Sequence, residues 1–61
     1  MTTVMSFLEW DKEKLKWILI PSLTKTFNVF SDALQKSEEI WDEILPLQKK
    51  GRYFTCTLKT M

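Results

Sequence analysis

The sequence predicts a small α+β domain in which one amphipathic helix lies across one face of an antiparallel sheet. Three observations support this fold class: residues 31–45 have helical periodicity, residues 52–60 alternate between apolar and polar side chains, and residues 15–20 form a short apolar run that ends at a proline. A chain of 61 residues has room for a single domain, 1–61. The predicted order of elements is ββαβ, with a further N-terminal strand as an open alternative.

The N-terminal half is predicted to contain a β-hairpin. Residues 15–20 are apolar on both faces when extended, as in a central strand, and Pro21 ends the run. Residues 26–30 are rich in Thr, Val and Phe, which favours a strand that pairs with the first one. The rival interpretation is a helix over 12–30 that is kinked at the proline. Residues 2–10 are compatible with an additional strand, a short helix or a partly ordered arm.

Residues 31–45 place apolar side chains on one face of a helix and acidic side chains on the other. The predicted apolar face comprises Ala33, Leu34, Ser37, Ile40, Trp41, Ile44 and Leu45. Ser31 is the predicted N-cap, with Ser37 as a later alternative, and Asp32 lies in the first turn, where the helix dipole favours an acid. Pro46 lacks a backbone N–H and restricts the residue before it, so the helix is predicted to end at that preceding residue.

Residues 52–60 are predicted to form the last strand, entered through a turn at Gly51. Phe54, Cys56 and Leu58 fall on one side of this strand, and Tyr53, Thr55, Thr57 and Lys59 fall on the other. The first set resembles a core-facing row and the second a solvent-facing row. The strand is therefore predicted to be half buried.

The predicted architecture leaves one face of the sheet without a cover. A single helix covers one sheet face only, yet the strand over 15–20 is apolar on both faces. One of its two sets, Leu15/Trp17/Leu19 or Lys16/Ile18/Ile20, should therefore lie on the uncovered face. An exposed apolar patch of this kind is typical of an interface, which predicts a dimer or a tight complex with another protein.

The composition disfavours an enzyme. The chain has one cysteine, Cys56, and no histidine, which excludes an internal disulfide and a Ser-His or Cys-His nucleophile pair and disfavours a zinc site. A single glycine leaves no glycine-rich phosphate loop. Cys56 alternates with apolar residues and is predicted to be a small core residue. We therefore predict a non-catalytic protein with no metal and no cofactor.

The chain is predicted to be a cytoplasmic protein. Its longest wholly apolar run, residues 17–20, is too short to span a membrane, and the N-terminus lacks the basic and apolar regions of a signal peptide. The single cysteine is predicted to be a reduced thiol, as in an intracellular protein. No membrane partner is expected.

Charge and aromatic residues predict a protein partner. The candidate partner-binding residues are Glu38, Glu39, Asp42, Glu43, Trp10 and Trp17. The four acids would steer the chain towards a basic protein surface, and tryptophans are typical interface anchors. Self-association into a homodimer is an open alternative.

Binding of nucleic acid is the second alternative, through basic residues near the C-terminal strand. The candidate residues are Lys49, Lys50, Arg52, Tyr53 and Lys59. Basic groups would pair with phosphates, and the tyrosine ring would stack on a base.

A few positions resemble the family of small phage-encoded regulators. The matching residues are Val4, Phe7, Trp10, Lys12, Glu13 and Cys56. In length and order of elements, with one helix before a C-terminal strand, the chain is similar to the T-even phage antitoxin Dmd and to the T7 inhibitor of host RNA polymerase. The resemblance implies a stoichiometric inhibitor or antitoxin-like regulator of a host or partner protein, such as a nucleic-acid enzyme.

Overall fold

The structure, a computed structural model, describes residues 2–61 and has one helix and four antiparallel strands. In chain order the elements are β1 (Thr3–Asp11), β2 (Lys16–Leu19), a short 3-10 helix (Pro21–Leu23), β3 (Lys25–Phe27), α1 (Phe30–Gln48) and β4 (Phe54–Thr60). The predicted α+β fold is confirmed. The N-terminal segment, which the sequence left open, is a strand.

The N-terminal strand β1 is the centre of the sheet. β4 pairs with it from Thr3↔Thr60 to Glu9↔Phe54. The opposite edge is shared: β2 pairs with the second half of β1 and β3 pairs with the first half. Thr3, Met5 and Phe7 are buried and alternate with less buried residues, which fits a strand whose first half packs one face against a helix.

The predicted hairpin between residues 15–20 and 26–30 is wrong, although both regions contain a strand. β2 and β3 do not pair with each other, because both pair with β1 along the same edge. Pro21 begins the 3-10 turn between them, closed by a hydrogen bond from the Thr24 amide to the Pro21 carbonyl (3.1 Å). The third strand ends at Phe27 instead of residue 30, and the helix begins soon after it.

The helix is longer than the sequence predicted at both ends. It begins after Val29, and Ser31 is not the N-cap. The alternative cap, Ser37, is buried inside the helix and donates its hydroxyl to the Leu34 carbonyl (2.7 Å). Pro46 does not end the helix, which continues to Gln48; the backbone bond that Pro46 cannot make is the one to the carbonyl of Asp42, an exposed residue. The chain then turns through Gly51, whose φ of +87° is readily adopted by glycine.

The core lies between α1 and one face of the sheet. Its buried apolar cluster consists of Met5, Phe7, Ile40, Ile44 and Phe54. Trp41 is half buried and packs edge-on against Phe7, with ring centroids 5.5 Å apart. Leu34 and Leu45, which the periodicity placed on the buried face, are exposed. They lie on the flank of the helix, beyond the arc that contacts the sheet through Ala33, Ser37, Ile40 and Ile44.

A tight turn joins β1 to β2. The Asp11 side chain accepts hydrogen bonds from the amides of Glu13 (2.9 Å) and Lys14 (3.1 Å). Leu15 closes the turn with a φ of +53°, a left-handed conformation that is unfavourable for a residue with a Cβ. This turn fixes the register that sets Trp10 opposite Trp17.

Candidate functional site: the open face of the sheet

One face of the sheet has no element lying over it in residues 2–61. α1 packs against β1, β3 and β4 on the face that carries Met5 and Phe7. The opposite side chains of β1 and their cross-strand partners form what we call the open face. It comprises Val4, Ser6, Leu8, Trp10, Trp17, Leu19, Thr26, Tyr53, Thr55, Thr57 and Lys59. This confirms the expectation that one face would lack a helix.

Large apolar side chains occupy one half of the open face. Trp10 and Trp17 are cross-strand partners and meet edge-to-face, with ring centroids 5.3 Å apart. Trp17, Leu19 and Tyr53 are 44%, 48% and 51% exposed. Two apolar sets were predicted for residues 15–20. The set that contains Trp17 and Leu19 is therefore the one on the uncovered face. Leu15, the third member of that set, is in the turn.

The other half of the open face is polar and carries no acid. Ser6, Thr26, Thr55 and Thr57 supply hydroxyl groups, and Lys59 lies opposite Val4. At the apolar end, the Lys12 ammonium lies 5.7 Å from the centroid of the Tyr53 ring. Cations and aromatic rings thus meet on this face, whereas the carboxylates of Glu9 and Asp11 belong to the other face.

The predicted partner-binding residues divide between two surfaces. Trp10 and Trp17 lie together on the open face. Glu38, Glu39, Asp42 and Glu43 are all exposed on the far side of the molecule, because the helix that carries them covers the opposite face of the sheet. One small contact cannot include both groups, so the tryptophans and the acids form two separate candidate sites.

The predicted nucleic-acid residues do not form one basic patch. Lys49 and Lys50 are exposed at the end of α1, Tyr53 lies beside Trp10, and Lys59 is at the other end of β4. Arg52 is held on the helix side, where Nε and Nη2 each donate to the Glu9 carboxylate at 2.8 Å.

The pair between Arg52 and Glu9 is the best-defined polar contact of the molecule. Hydrogen bonding by Arg52 holds the pKa of the Glu9 carboxyl below its ordinary value of 4.5, and the same bonds raise the pKa of Arg52. The guanidinium also lies 5.3 Å from the centroid of the Phe54 ring. Sequence reasoning missed this pair because the residues are 43 positions apart and meet only once the strand register is known.

A shallow groove of about 570 Å³ lies at the end of the sheet that the helix does not reach. Its lining includes Glu9, Asp11, Ile18, Ile20 and Arg52. Glu9 and Arg52 neutralise each other, and the Asp11 side chain is occupied by amides of the turn. No group of acids, cysteines or histidines suited to a metal ion occurs within residues 2–61.

Cys56 behaves as a packing residue. It lies opposite Phe7 in the sheet and is partly buried beside the core. Burial raises the pKa of its thiol, which makes the nucleophilic thiolate scarcer at neutral pH.

α1, the one helix longer than a single turn in the described chain, is not apolar enough to cross a lipid bilayer.

No protein-family model, curated protein or solved structure matches the chain.

Proposed function

We propose that this chain is a small non-catalytic protein-binding module, a stoichiometric inhibitor or antitoxin-like regulator that binds a partner through the apolar half of its open face. One observation carries the proposal: Trp17, Leu19 and Tyr53, each roughly half exposed, lie beside the partly buried Trp10 on a face with no cover in the described chain. Tryptophan and tyrosine are the side chains that most often anchor protein interfaces.

The geometry of the open face suits a preorganised binding surface. Its anchors project from hydrogen-bonded strands, and the two indoles hold each other edge-to-face. A rigid surface loses little conformational entropy on docking, so more of the contact energy appears as affinity. The hydroxyl groups of Thr55 and Thr57 at the margin supply a polar rim. We further propose a cytoplasmic location, which suits a single free thiol.

The test compares two neighbouring residues of β2 that point to opposite faces. Leu19→Ser removes an apolar group from the open face, whereas Ile18→Ser makes a similar change on the groove side, at 37% exposure compared with 48%. Tagged wild type and both variants are used to capture proteins from lysate, and each candidate is then purified and titrated. We expect wild type and Ile18→Ser to form a one-to-one complex with the partner. Leu19→Ser should weaken the affinity of this complex at least tenfold.

Two outcomes would contradict the proposal. Equal binding by Leu19→Ser and wild type would show that the open face is not the contact. A chain that sediments as a dimer, dissociates in Leu19→Ser and forms no complex with another protein would assign the open face to self-association.

Single-stranded nucleic acid is the second candidate, favoured by the absence of acids among the open-face residues and by Lys12 beside Tyr53. Exposed aromatic rings on a sheet can stack bases while lysines pair with phosphates. Fluorescence titration with single-stranded oligonucleotides at increasing salt tests this. Binding that weakens with salt and is lost in Lys12→Glu would support it, and no binding at low salt would exclude it.

A further inference from the structure

A second apolar surface lies on the outside of α1. Phe30, Leu34, Trp41 and Leu45 follow one another at helical spacing and fall within an arc of about 60° around the helix axis. We call this row the apolar stripe. It extends over about 22 Å, the length of four helical turns. It is therefore long enough to hold a partner helix side by side.

The apolar stripe is open to solvent. Phe30, Leu34 and Leu45 are 49%, 43% and 49% exposed, and Trp41 is half buried because its inner edge rests on Phe7. Isolated exposed apolar residues are ordinary on protein surfaces, but three exposed ones aligned with a partly exposed tryptophan on one side of a helix form a patch. The row lies on the flank of α1, and α1 covers the side of the sheet opposite the open face, so the two surfaces are separate.

Acidic side chains border the apolar stripe on its solvent side. Glu38 and Asp42 lie next to it around the helix, and Glu39 and Glu43 lie further round. Among the described residues, only Glu39 of these four acids has a cation in salt-bridge range, Lys36 at 3.6 Å. The apolar stripe with its uncompensated acids is therefore complementary to a partner surface that combines apolar side chains with positive charge.

We propose that the apolar stripe with its acidic border binds a basic amphipathic helix of a partner protein. The partner's apolar row would pack against Leu34, Trp41 and Leu45, and its lysines or arginines would pair with Glu38 and Asp42. This surface is separate from the open face, so the inference does not depend on the proposed function. If both hold, the chain contacts two protein segments on opposite sides.

The same charges argue against other occupants. A second copy of the chain that docked through the same surface would bring an equally acidic helix to the contact, since residues 31–45 hold five acids and one lysine. An anionic membrane surface or a nucleic acid would be repelled for the same reason. Unlike these occupants, a basic amphipathic helix would cover the apolar side chains and also neutralise the border.

The test uses a synthetic leucine–lysine peptide that forms an amphipathic helix about as long as the apolar stripe, with a scrambled peptide of the same composition as control. Binding is measured by titration, and contacts are mapped by backbone amide chemical shifts. We expect saturable binding of the amphipathic peptide, shifts along the outer side of α1, and at least tenfold weaker binding of the scrambled peptide.

Matched variants separate a specific site from general attraction. Glu38→Lys with Asp42→Lys changes the border, whereas Glu39→Lys with Glu43→Lys makes the same change in net charge further round the helix. The first pair should weaken binding at least fivefold more than the second. Leu34→Ser with Leu45→Ser should weaken it at least tenfold, and Leu19→Ser on the open face should leave it unchanged.

Circular dichroism confirms that each variant is folded before its affinity is compared. Equal effects of the two charge pairs, equal binding of the scrambled peptide, or shifts confined to the open face would overturn the inference. The capture experiment with Leu19→Ser tests only the open face, and none of these peptide results changes its outcome. Either proposal can therefore fail while the other holds.

Discussion

Phe7 is the residue on which the core depends most. Its side chain has no exposed surface, lies on the central strand and contacts Trp41 from the helix. Phe7→Ala should lower the free energy of unfolding by about 3–5 kcal/mol, a large share of the stability of so small a domain. Trp41→Ala should cost less, because that ring is only half buried. Chemical denaturation measures both, and a smaller loss for Phe7→Ala than for Trp41→Ala would contradict this core.

The Glu9–Arg52 pair should make stability depend on pH. Because the folded state lowers the pKa of the Glu9 carboxyl, the pair stabilises the fold above the ordinary carboxyl pKa of 4.5, and the contribution is lost as pH falls through the lower, folded-state pKa. Glu9→Gln should therefore melt below wild type at neutral pH, and the difference should shrink in acid. The effect is small because Arg52 is exposed and Glu9 is only partly buried, so water screens the pair. Thermal melts of wild type, Glu9→Gln and Arg52→Gln across acidic pH measure this difference in melting temperature. A difference that widens in acid would refute the stabilising role of the Glu9–Arg52 pair.

At the scale of the element, the turn between β1 and β2 stores strain at Leu15. Its left-handed backbone costs a residue with a Cβ about 1–2 kcal/mol, and its exposed side chain contributes little packing. Leu15→Gly should therefore raise the free energy of unfolding by up to about 1 kcal/mol, after the greater flexibility of glycine in the unfolded chain is subtracted. Leu15→Ala keeps the Cβ and serves as the control, with no gain expected. Equal stability of the two variants would show that the turn is not strained there.

The elements differ in how far the sequence predicted them. α1 and β4 were predictable because each has a regular pattern over several repeats, helical in residues 31–45 and alternating in residues 52–60. The ends of α1 were not, since Val29 supplies no side-chain cap and the helix continues past Pro46 to Gln48. The sequence analysis also missed that β2 and β3 each pair with β1. Strand order depends on contacts distant in sequence, and β1, the common partner, has a pattern that also suits other structures.

At the scale of the molecule, the fold is thin, with extents of 37 × 23 × 14 Å, as expected of one helix on one sheet. The open face was predictable in kind, because one helix covers one face and residues 15–20 are apolar on both. Tyr53, Thr55, Thr57 and Lys59 were predicted as the solvent-facing row of the last strand, and they lie on this face. The contribution of Trp10 was not predicted, because it follows from the register with β1. The separation of the tryptophans from Glu38 and Asp42 likewise requires knowing which face α1 covers.

The most direct test of the open face as the partner-binding surface is photocrosslinking from two adjacent positions. A photoreactive aromatic amino acid replaces Trp17, on the open face, or Lys16, which points to the other face of the same strand. We predict that the partner captured by wild type crosslinks from position 17 in a one-to-one product, and that excess unlabelled wild type competes the product away. Position 16 should give little or no such product. Equal crosslinking from both positions, or a product from position 16 alone, would contradict the proposal.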